Sequence, residues 1–184
     1  MLLDSPVCDF GWKAPDFTLP DLNGQAVSLA QSYGPGGLLV AFICNHCPYV
    51  KAVIGRLVAD AAALADQGVP TLAVMPNDFH ACPDDRPAMM QAFAERHAFP
   101  FPYLLDQDQS VARAFKAVCT PDFFGFNRAG ELQYRGRLDD AKMSEPAGRK
   151  PELLEAMRQV AETGRGPAHQ QPSMGCSIKW KLAA

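Results

Sequence analysis

The chain of 184 residues is 48% hydrophobic and carries a formal net charge of −3, which suits one α/β domain with a single core. No run of Lys or Arg interleaves with aromatic residues, so the charge pattern excludes a nucleic-acid partner. The start is acidic and interrupted by proline, unlike a secretory signal, so we expect a cytoplasmic protein. The longest apolar run, 38–44, is too short for a membrane helix, so we expect no membrane partner.

The first part of the chain predicts a hairpin and then strands that alternate with helices. A loosely ordered lead-in is expected over residues 1–13. Strand-like composition follows at 17–19, 26–28, 38–43 and 71–75. Turn residues at 21–24 favour a hairpin between the first two of these strands. Apolar residues at helical spacing over 50–64 predict a helix of about five turns between Pro48 and Gly68, and a second helix is expected over 88–97.

The second part continues the alternation and adds a late hairpin. Further strands are expected at 101–105, 122–126 and 132–137, and further helices at 106–116 and 152–163. This order predicts an α/β fold with a mixed central sheet flanked by helices. We divide the chain into the lead-in, a domain over 14–163 and a linker-like tail over 164–184.

The segment Cys44-Asn45-His46-Cys47 lies between the buried strand and the first long helix. Two thiols separated by two residues at a helix start can reach disulfide geometry. The unpaired amides and the positive dipole end of the helix stabilise a thiolate, which we expect on Cys44. The pattern predicts thiol–disulfide exchange in which Cys44 attacks a partner and Cys47 releases it.

A zinc site is the main alternative for this segment, because Cys44, His46 and Cys47 are all possible metal ligands. Structural zinc usually draws on two spaced ligand pairs, and His80 and Cys82 match a second pair poorly. An inert pair of thiols is a further alternative. We therefore expect redox chemistry with neither a metal nor another cofactor.

His46 stands directly before Cys47 and is the residue expected to tune the pair. A cation at this position favours the Cys44 thiolate, lowers the pKa of that thiol and makes the disulfide more oxidising. The alternative is a solvent-exposed loop histidine without electrostatic effect.

Three segments, one of which contains the cysteine pair, resemble a known family. They are Ala14-Pro15-Asp16-Phe17-Thr18-Leu19, Phe42-Ile43-Cys44-Asn45-His46-Cys47-Pro48-Tyr49-Val50, and Cys119-Thr120-Pro121-Asp122-Phe123-Phe124 followed by Tyr134-Arg135-Gly136. Over residues 10–163 the chain resembles the thioredoxin-like superfamily, in its alkyl hydroperoxide reductase/thiol-specific antioxidant (peroxiredoxin-like) branch. The resemblance implies a thioredoxin-like fold with an N-terminal hairpin extension and a C-terminal tail.

The resemblance also assigns a role to Thr120 and Pro121. In this fold an X-Pro bond before the late hairpin is typically cis and lies opposite the cysteine pair, where the preceding backbone pairs with a substrate strand. The chain departs from thioredoxin at Ile43, which replaces a Trp, and at Asn45-His46, which replaces Gly-Pro. The acidic residue that thioredoxin buries before its motif is absent from 38–43.

Two activities follow from the motif and the resemblance. The first is a thiol-disulfide oxidoreductase acting on disulfide-containing proteins or small thiols, with electrons from a donor such as a thioredoxin or glutathione system. The alternative is a peroxiredoxin-like thiol peroxidase that reduces hydroperoxides. Two departures weaken that alternative: Cys44 replaces the Thr or Ser of peroxiredoxins, and Thr120-Pro121 falls near the position of their Arg. A third reading is a redox-sensing or metal-handling module without turnover.

The four remaining cysteines are scattered along the chain. Reduced structural thiols are expected at Cys8, Cys82 and Cys119. Cys176 lies in the tail, in a block from Gly175 to Trp180 that resembles the ending of the peroxiredoxin-like subgroup. There a mobile cysteine could pass electrons to the central pair as a third redox group, whereas the alternative is that the block only docks the tail.

Overall fold

The computed structural model describes residues 1–182, which form ten strands, four α-helices and a 3-10 turn at Pro83–Asp85. The strands are β1 (Leu2–Asp4), β2 (Thr18–Pro20), β3 (Ala26–Ser28), β4 (Leu38–Phe42), β5 (Thr71–Met75), β6 (Tyr103–Leu105), β7 (Cys119–Thr120), β8 (Asp122–Phe126), β9 (Leu132–Tyr134) and β10 (Met174–Ser177). The helices are α1 (Pro48–Ala65), α2 (Pro87–Arg96), α3 (Ser110–Ala114) and α4 (Glu152–Thr163). Across residues 1–182, none of the helices combines the length and the apolar character needed to span a membrane.

A five-stranded mixed sheet forms the centre, in the order β6-β5-β4-β8-β9. β4 runs parallel to β5 and antiparallel to β8. Every residue of β4, β5 and β8 is buried, as expected for apolar strands covered on both faces. The predicted α/β fold with a mixed central sheet is confirmed, and the hairpin of β2 and β3 precedes it.

The two faces of β4 enter two separate cores. Leu39 and Ala41 pack in a cluster with residues of α1, α2 and α4. Leu38, Val40 and Phe42 pack on the opposite face, with residues of α3 and the N-terminal hairpin. This alternation fixes the register of β4, because a shift by one residue would exchange the two sets. The end of β4 is therefore held firmly where the cysteine pair begins.

Most predicted elements are present with shifted boundaries, and α3 shows why the shifts occur. The periodicity predicts a helix over 106–116, but the helix covers only Ser110–Ala114. Gln109 has a left-handed backbone with φ of 64°, which ends any helix there. The Asp106 carboxylate accepts a hydrogen bond of 2.7 Å from the backbone N–H of Ala112. Asp106 therefore stabilises the first turn of α3 although it lies outside the helix.

The chain ends form a second sheet, which corrects the expectation of a loosely ordered lead-in and a linker-like tail. β1 and β10 pair antiparallel, and β10 pairs with β7, in the order β1-β10-β7. The backbone N–H of Ser5 also donates to the Ser173 carbonyl at 2.7 Å. These strands lie far apart in sequence, so local patterns do not reveal their pairing. Residues 183 and 184 of the predicted tail lie outside the described residues, and the three-part division of the chain stays a prediction.

Candidate active site

The cysteine pair lies where β4 ends and α1 begins. Only Ile43 separates Cys44 from β4, and Cys47 is the N-cap residue of α1. Proline suits the first helical position because it lacks the N–H that would be unsatisfied there, and Pro48 occupies it. Both cysteines are 0% exposed. The strand, the motif and the helix thus follow one another as predicted, with both sulfurs enclosed.

Both sulfurs converge on Thr120. The Sγ of Cys44 lies 3.2 Å from the Thr120 hydroxyl, and the thiol of Cys47 donates to the Thr120 carbonyl at 3.2 Å. The bond between Thr120 and Pro121 is cis. The structure therefore brings Thr120 to the predicted place opposite the pair, while the role of Thr120 and Pro121 in substrate binding stays a prediction.

Several hydrogen-bond donors surround the Cys47 sulfur and lower the pKa of this thiol far below its usual range. The Cys44 thiol has the largest effect, and burial opposes it. The backbone N–H of Val50 and both the thiol and the backbone of Cys176 add smaller favourable effects. The N-cap position acts in the same direction, because the free amides and the dipole of α1 favour a negative charge there.

The pKa of Cys44 is shifted in the opposite direction. Its hydrogen bond to Cys47 raises this pKa, burial raises it further, and the nearby Asp85 carboxylate adds to the effect. The Thr120 hydroxyl offsets only part of this. This shift opposes the expected thiolate on Cys44, because α1 begins at Pro48 and its free amides lie next to Cys47. The thiolate on Cys44 stays a prediction.

His46 is bound to a carboxylate rather than to a cysteine. Its Nδ1 lies 2.6 Å from Oδ2 of Asp85, and the His46 side chain is 23% exposed whereas that of Asp85 is 0% exposed. The hydrogen bond that His46 donates to Asp85 raises the pKa of His46. The Asp85 carboxylate that pairs with His46 also raises the pKa of Cys44. The predicted tuning by His46 itself stays a prediction.

Asp85 is the site residue that the sequence analysis missed. It comes from the 3-10 turn after β5 and accepts hydrogen bonds from the backbone N–H of Asn45 at 2.7 Å and from the Asn77 amide at 2.9 Å. Burial tends to raise the pKa of Asp85, but the bonds from His46 and Asn77 outweigh it and the pKa lies below its usual value. Three carboxylates lie within residues 78–85, and nothing in their local pattern identifies Asp85 as the buried one.

Cys44, His46 and Asp85 are the residues at this site that could hold a metal ion. One ligand atom from each lies within 4.8 Å of the other two. Zinc would need the Cys44 thiolate, and the raised pKa of Cys44 opposes its formation. The expected absence of a metal and of a cofactor stays a prediction.

Cys176 joins the pair from β10. It lies opposite Thr120 in the pairing of β10 with β7, so the edge predicted to receive a substrate strand carries the chain's own strand. The expected mobile tail cysteine is thus corrected to a residue in a paired strand, because β10 is held between β1 and β7. All six cysteines are free thiols, and burial raises the pKa of Cys8 to about 11 and also raises the pKa of Cys82 and Cys119.

A cavity of about 210 Å³ opens beside β10. Its lining includes Tyr49 of α1, Pro121, Arg137 and Met174. A larger cavity of about 680 Å³ lies between the N-terminal hairpin and α3, and none of the six cysteines lines it. None of the six cysteines lines the smaller cavity either, although Pro121 is one of its lining residues.

Comparison with solved structures matches the whole chain. An uncharacterised conserved protein of Geobacillus kaustophilus has 39% sequence identity and a TM-score of 0.94, with 100% of this chain and 98% of that chain covered. The thioredoxin domain of a thiol-disulfide oxidoreductase of Bacteroides vulgatus has 22% identity and a TM-score of 0.59, with 71% of this chain and 89% of that chain covered. The second match shows that the fold is thioredoxin-like.

Sequence comparison adds a curated relative and a family. The thiol-disulfide oxidoreductase ResA of Halalkalibacterium halodurans is 26% identical over 129 residues, which are 70% of this chain and 69% of that protein. The AhpC/TSA family matches residues 10–135, a span that includes the cysteine pair and Thr120-Pro121. Because this match covers more than half of the chain, the protein belongs to the AhpC/TSA family.

Proposed function

We propose that this protein is a cytoplasmic thiol-disulfide oxidoreductase whose Cys44 and Cys47 exchange a disulfide with thiol or disulfide partners. The observation that carries the proposal is the convergence of both sulfurs on Thr120, each at 3.2 Å, at the start of α1. The relative named as a thiol-disulfide oxidoreductase supports the same activity.

The opposite pKa shifts of the two thiols give them different roles. Cys47, as the thiolate, attacks the incoming disulfide sulfur; a bond to Cys47 forms, the incoming S–S bond breaks, and a thiolate leaves. Cys44 then loses its proton and attacks Cys47, which forms the Cys44–Cys47 disulfide and releases the second thiolate. Two electrons pass from the pair to the partner, so the exchange needs no metal or organic cofactor.

The interaction between the two thiols supports an order for these two steps. The hydrogen bond to Cys47 is the largest cause of the raised pKa of Cys44. That effect disappears once Cys47 is bonded to a partner, because a disulfide sulfur carries no charge. The pKa of Cys44 then falls, and the second thiol becomes reactive only after the first has reacted. The Thr120 hydroxyl, 3.2 Å from the Sγ of Cys44, keeps the second thiol in position.

The partners of the proposed exchange are disulfide-containing proteins or small thiols. A donor such as a thioredoxin or glutathione system would return the pair to the dithiol form. The mildly acidic chain, with a net charge of −3, gives such partners no strong electrostatic attraction. Recognition would therefore depend on the surface around Pro121 and β10 rather than on charge.

The proposal is tested by equilibrating the protein with glutathione buffers of different reduction potential and mapping disulfides by mass spectrometry. We expect a Cys44–Cys47 bridge in the oxidised protein and loss of the two-electron transition in both Cys44→Ser and Cys47→Ser. Cys82→Ser is the matched control, because Cys82 is partly exposed and lies outside the pair. Free Cys44 and Cys47 in protein equilibrated with the most oxidising buffer would contradict the proposed function.

One observation favours a peroxidase as the second candidate. The pKa of Cys47 is lowered, and Cys44 stands three residues before it, where peroxiredoxins carry Thr or Ser. A sulfenic acid would then form on Cys47. The test uses a variant with both Cys44→Ser and Cys176→Ser. If exchange is the main activity, dimedone should label Cys47 after peroxide treatment no faster than it labels Cys82. Rapid dimedone labelling of Cys47 alone would favour the peroxidase.

A further inference from the structure

Three thiols, rather than two, meet at the start of α1. Cys176 is one of the groups that lower the pKa of the Cys47 thiol. Independently, the strand register places Cys176 opposite Thr120, whose carbonyl accepts the hydrogen bond from Cys47. Cys176 also packs against the core cluster that contains Cys44 and Cys47. Cys47 is therefore the middle sulfur, with Cys44 and Cys176 as its two neighbours.

The three thiols differ in their access to solvent. Cys44 and Cys47 are 0% exposed, whereas Cys176 is partly exposed. Disulfide exchange needs an attacking sulfur in line with the bond that breaks, so a partner must reach the sulfur itself. With β10 in place, a partner can reach Cys176 more readily than it can reach the enclosed pair.

The position of Cys176 is built into the packing of β10. Gly175 lies so close to the Thr120 carbonyl oxygen that a Cβ there would be 2.0 Å from it. The Ser173 hydroxyl donates to the Pro121 carbonyl at 2.7 Å, and the backbone N–H of Ser173 donates to the Ser5 hydroxyl at 2.9 Å. These contacts hold β10 directly over Thr120 and Pro121.

We propose that Cys176 is a third redox-active thiol, through which outside disulfides exchange with the enclosed Cys44/Cys47 pair. This inference rests on the proposed function. In this proposal β10 occupies the position of a substrate strand but belongs to the same chain. Cys176 is then the first sulfur that exchanges with the pair.

The transfer balances in three exchange steps with glutathione disulfide as the outside disulfide. Cys176, whose pKa burial raises to about 11, loses its proton and attacks it, so a Cys176–glutathione bond forms and one glutathione thiolate leaves. Cys47 attacks the Cys176 sulfur, so a Cys47–Cys176 bond forms and the second glutathione leaves. Cys44 loses its proton and attacks Cys47, and Cys176 leaves as a thiolate that takes up a proton. The pair is oxidised, two glutathione molecules are formed, and Cys176 returns to its starting state.

The proposal is tested by the rate at which glutathione disulfide oxidises each variant, with the bridges mapped after quenching. In Cys176→Ser we expect oxidation of the pair to slow by about tenfold or more, equivalent to about 1.4 kcal/mol in activation free energy. The equilibrium position should stay that of the unmodified protein, because Cys176 is regenerated. Cys82→Ser should keep the original rate.

Two further variants show the intermediates. Cys47→Ser should accumulate glutathione on Cys176, and Cys44→Ser should accumulate a Cys47–Cys176 bridge. If Cys176→Ser reaches equilibrium as fast as the unmodified protein, or if Cys44→Ser forms no Cys47–Cys176 bridge, Cys176 is not the route. Failure of the pair to oxidise at equilibrium would instead contradict the proposed function, so the two failures are distinguishable.

Discussion

The five-stranded sheet and the three-stranded sheet both position thiols of the site, but their strands are buried to different extents. Every residue of β4, β5 and β8 is buried. In the three-stranded sheet, β1 has two exposed residues and one partly buried residue, and β10 has a single buried residue. Since burial contributes about 25 cal/mol per Å² of apolar surface, the central sheet gains far more from the hydrophobic effect.

This contrast separates the thiols into a fixed pair and a thiol on the weaker support. Cys44 and Cys47 are positioned by β4 and α1, whereas Cys176 depends on the pairing of β10 with its neighbours. Segments with few buried apolar contacts open at lower free energy than the core. Separation of β10 from β7 would therefore move Cys176 away from Cys47 and make the pair more accessible.

The largest expected effect is on the central sheet. Phe42 is 0% exposed and its ring lies 5.4 Å from Phe115 and 5.6 Å from Phe124, between ring centroids. Phe42→Ala should lower the free energy of unfolding of the reduced protein by about 3–5 kcal/mol, because it leaves a cavity between these rings. Urea denaturation followed by circular dichroism measures this loss.

Leu2→Ala in β1 is the matched change in the small sheet. Leu2 is 53% exposed, so its truncation should change the free energy of unfolding by no more than about 0.5 kcal/mol. Equal losses for Phe42→Ala and Leu2→Ala would mean that the two sheets are held equally firmly, against the comparison made above.

An intermediate effect is expected at Gly175. The added Cβ of Gly175→Ala would meet the Thr120 carbonyl oxygen at 2.0 Å, so β10 must move away from β7. Overpacking of this kind typically costs about 1–3 kcal/mol. Backbone amides of β10 should exchange with deuterium faster, while those of β4 keep their protection.

Gly55→Ala is the control for this substitution. Gly55 lies within α1, and a Cβ there would meet nothing within 4 Å. This change should instead stabilise the protein by about 0.4–1 kcal/mol, because alanine loses less backbone freedom in a helix. Unchanged exchange of the β10 amides in Gly175→Ala would show that this strand does not depend on the close approach to Thr120.

The central sheet could be predicted from the sequence because its information is local. β5 and α4 have the predicted bounds, since apolar runs and helical periodicity mark them directly. The small sheet could not be predicted in this way. β1 and β10 are separated by almost the whole chain, and each is too short and too exposed to leave a periodic pattern.

The site shows the same division. Cys44, Cys47 and Thr120 were identified from a local motif and a family resemblance, and the structure brings them together. The thiolate on Cys44 stays a prediction, and a local pattern does not fix it because it depends on which residue caps α1. Asp85 was missed because its burial depends on contacts with Asn45 and Asn77, which come from two other segments.

The smallest effect is expected from Asp85→Asn, which removes a charge while it keeps a similar shape and an acceptor oxygen. The hydrogen bond and the charge of Asp85 raise the pKa of His46, so this pKa should fall in the variant. The pKa of Cys44 should fall as well, because the carboxylate raises it. Proton NMR of the His46 ring and the pH dependence of thiolate absorbance in the ultraviolet measure the two shifts.

The pH dependence of stability follows from the same pair. The pKa of His46 is raised on folding, so its stabilising contribution is complete below the unfolded pKa and is lost as the pH rises through the folded pKa. The pKa of Asp85 is lowered, so its contribution is lost as the pH falls through the folded value. The ion pair therefore stabilises the protein between these two folded values, and Asp85→Asn should remove this contribution.

His97 is the internal control, because its pKa is lowered by burial and by Arg96, so the substitution should leave its titration unchanged. A His46 titration that Asp85→Asn leaves unchanged would mean that the ring is not paired with Asp85 in solution, and the raised pKa of Cys44 would then need another cause.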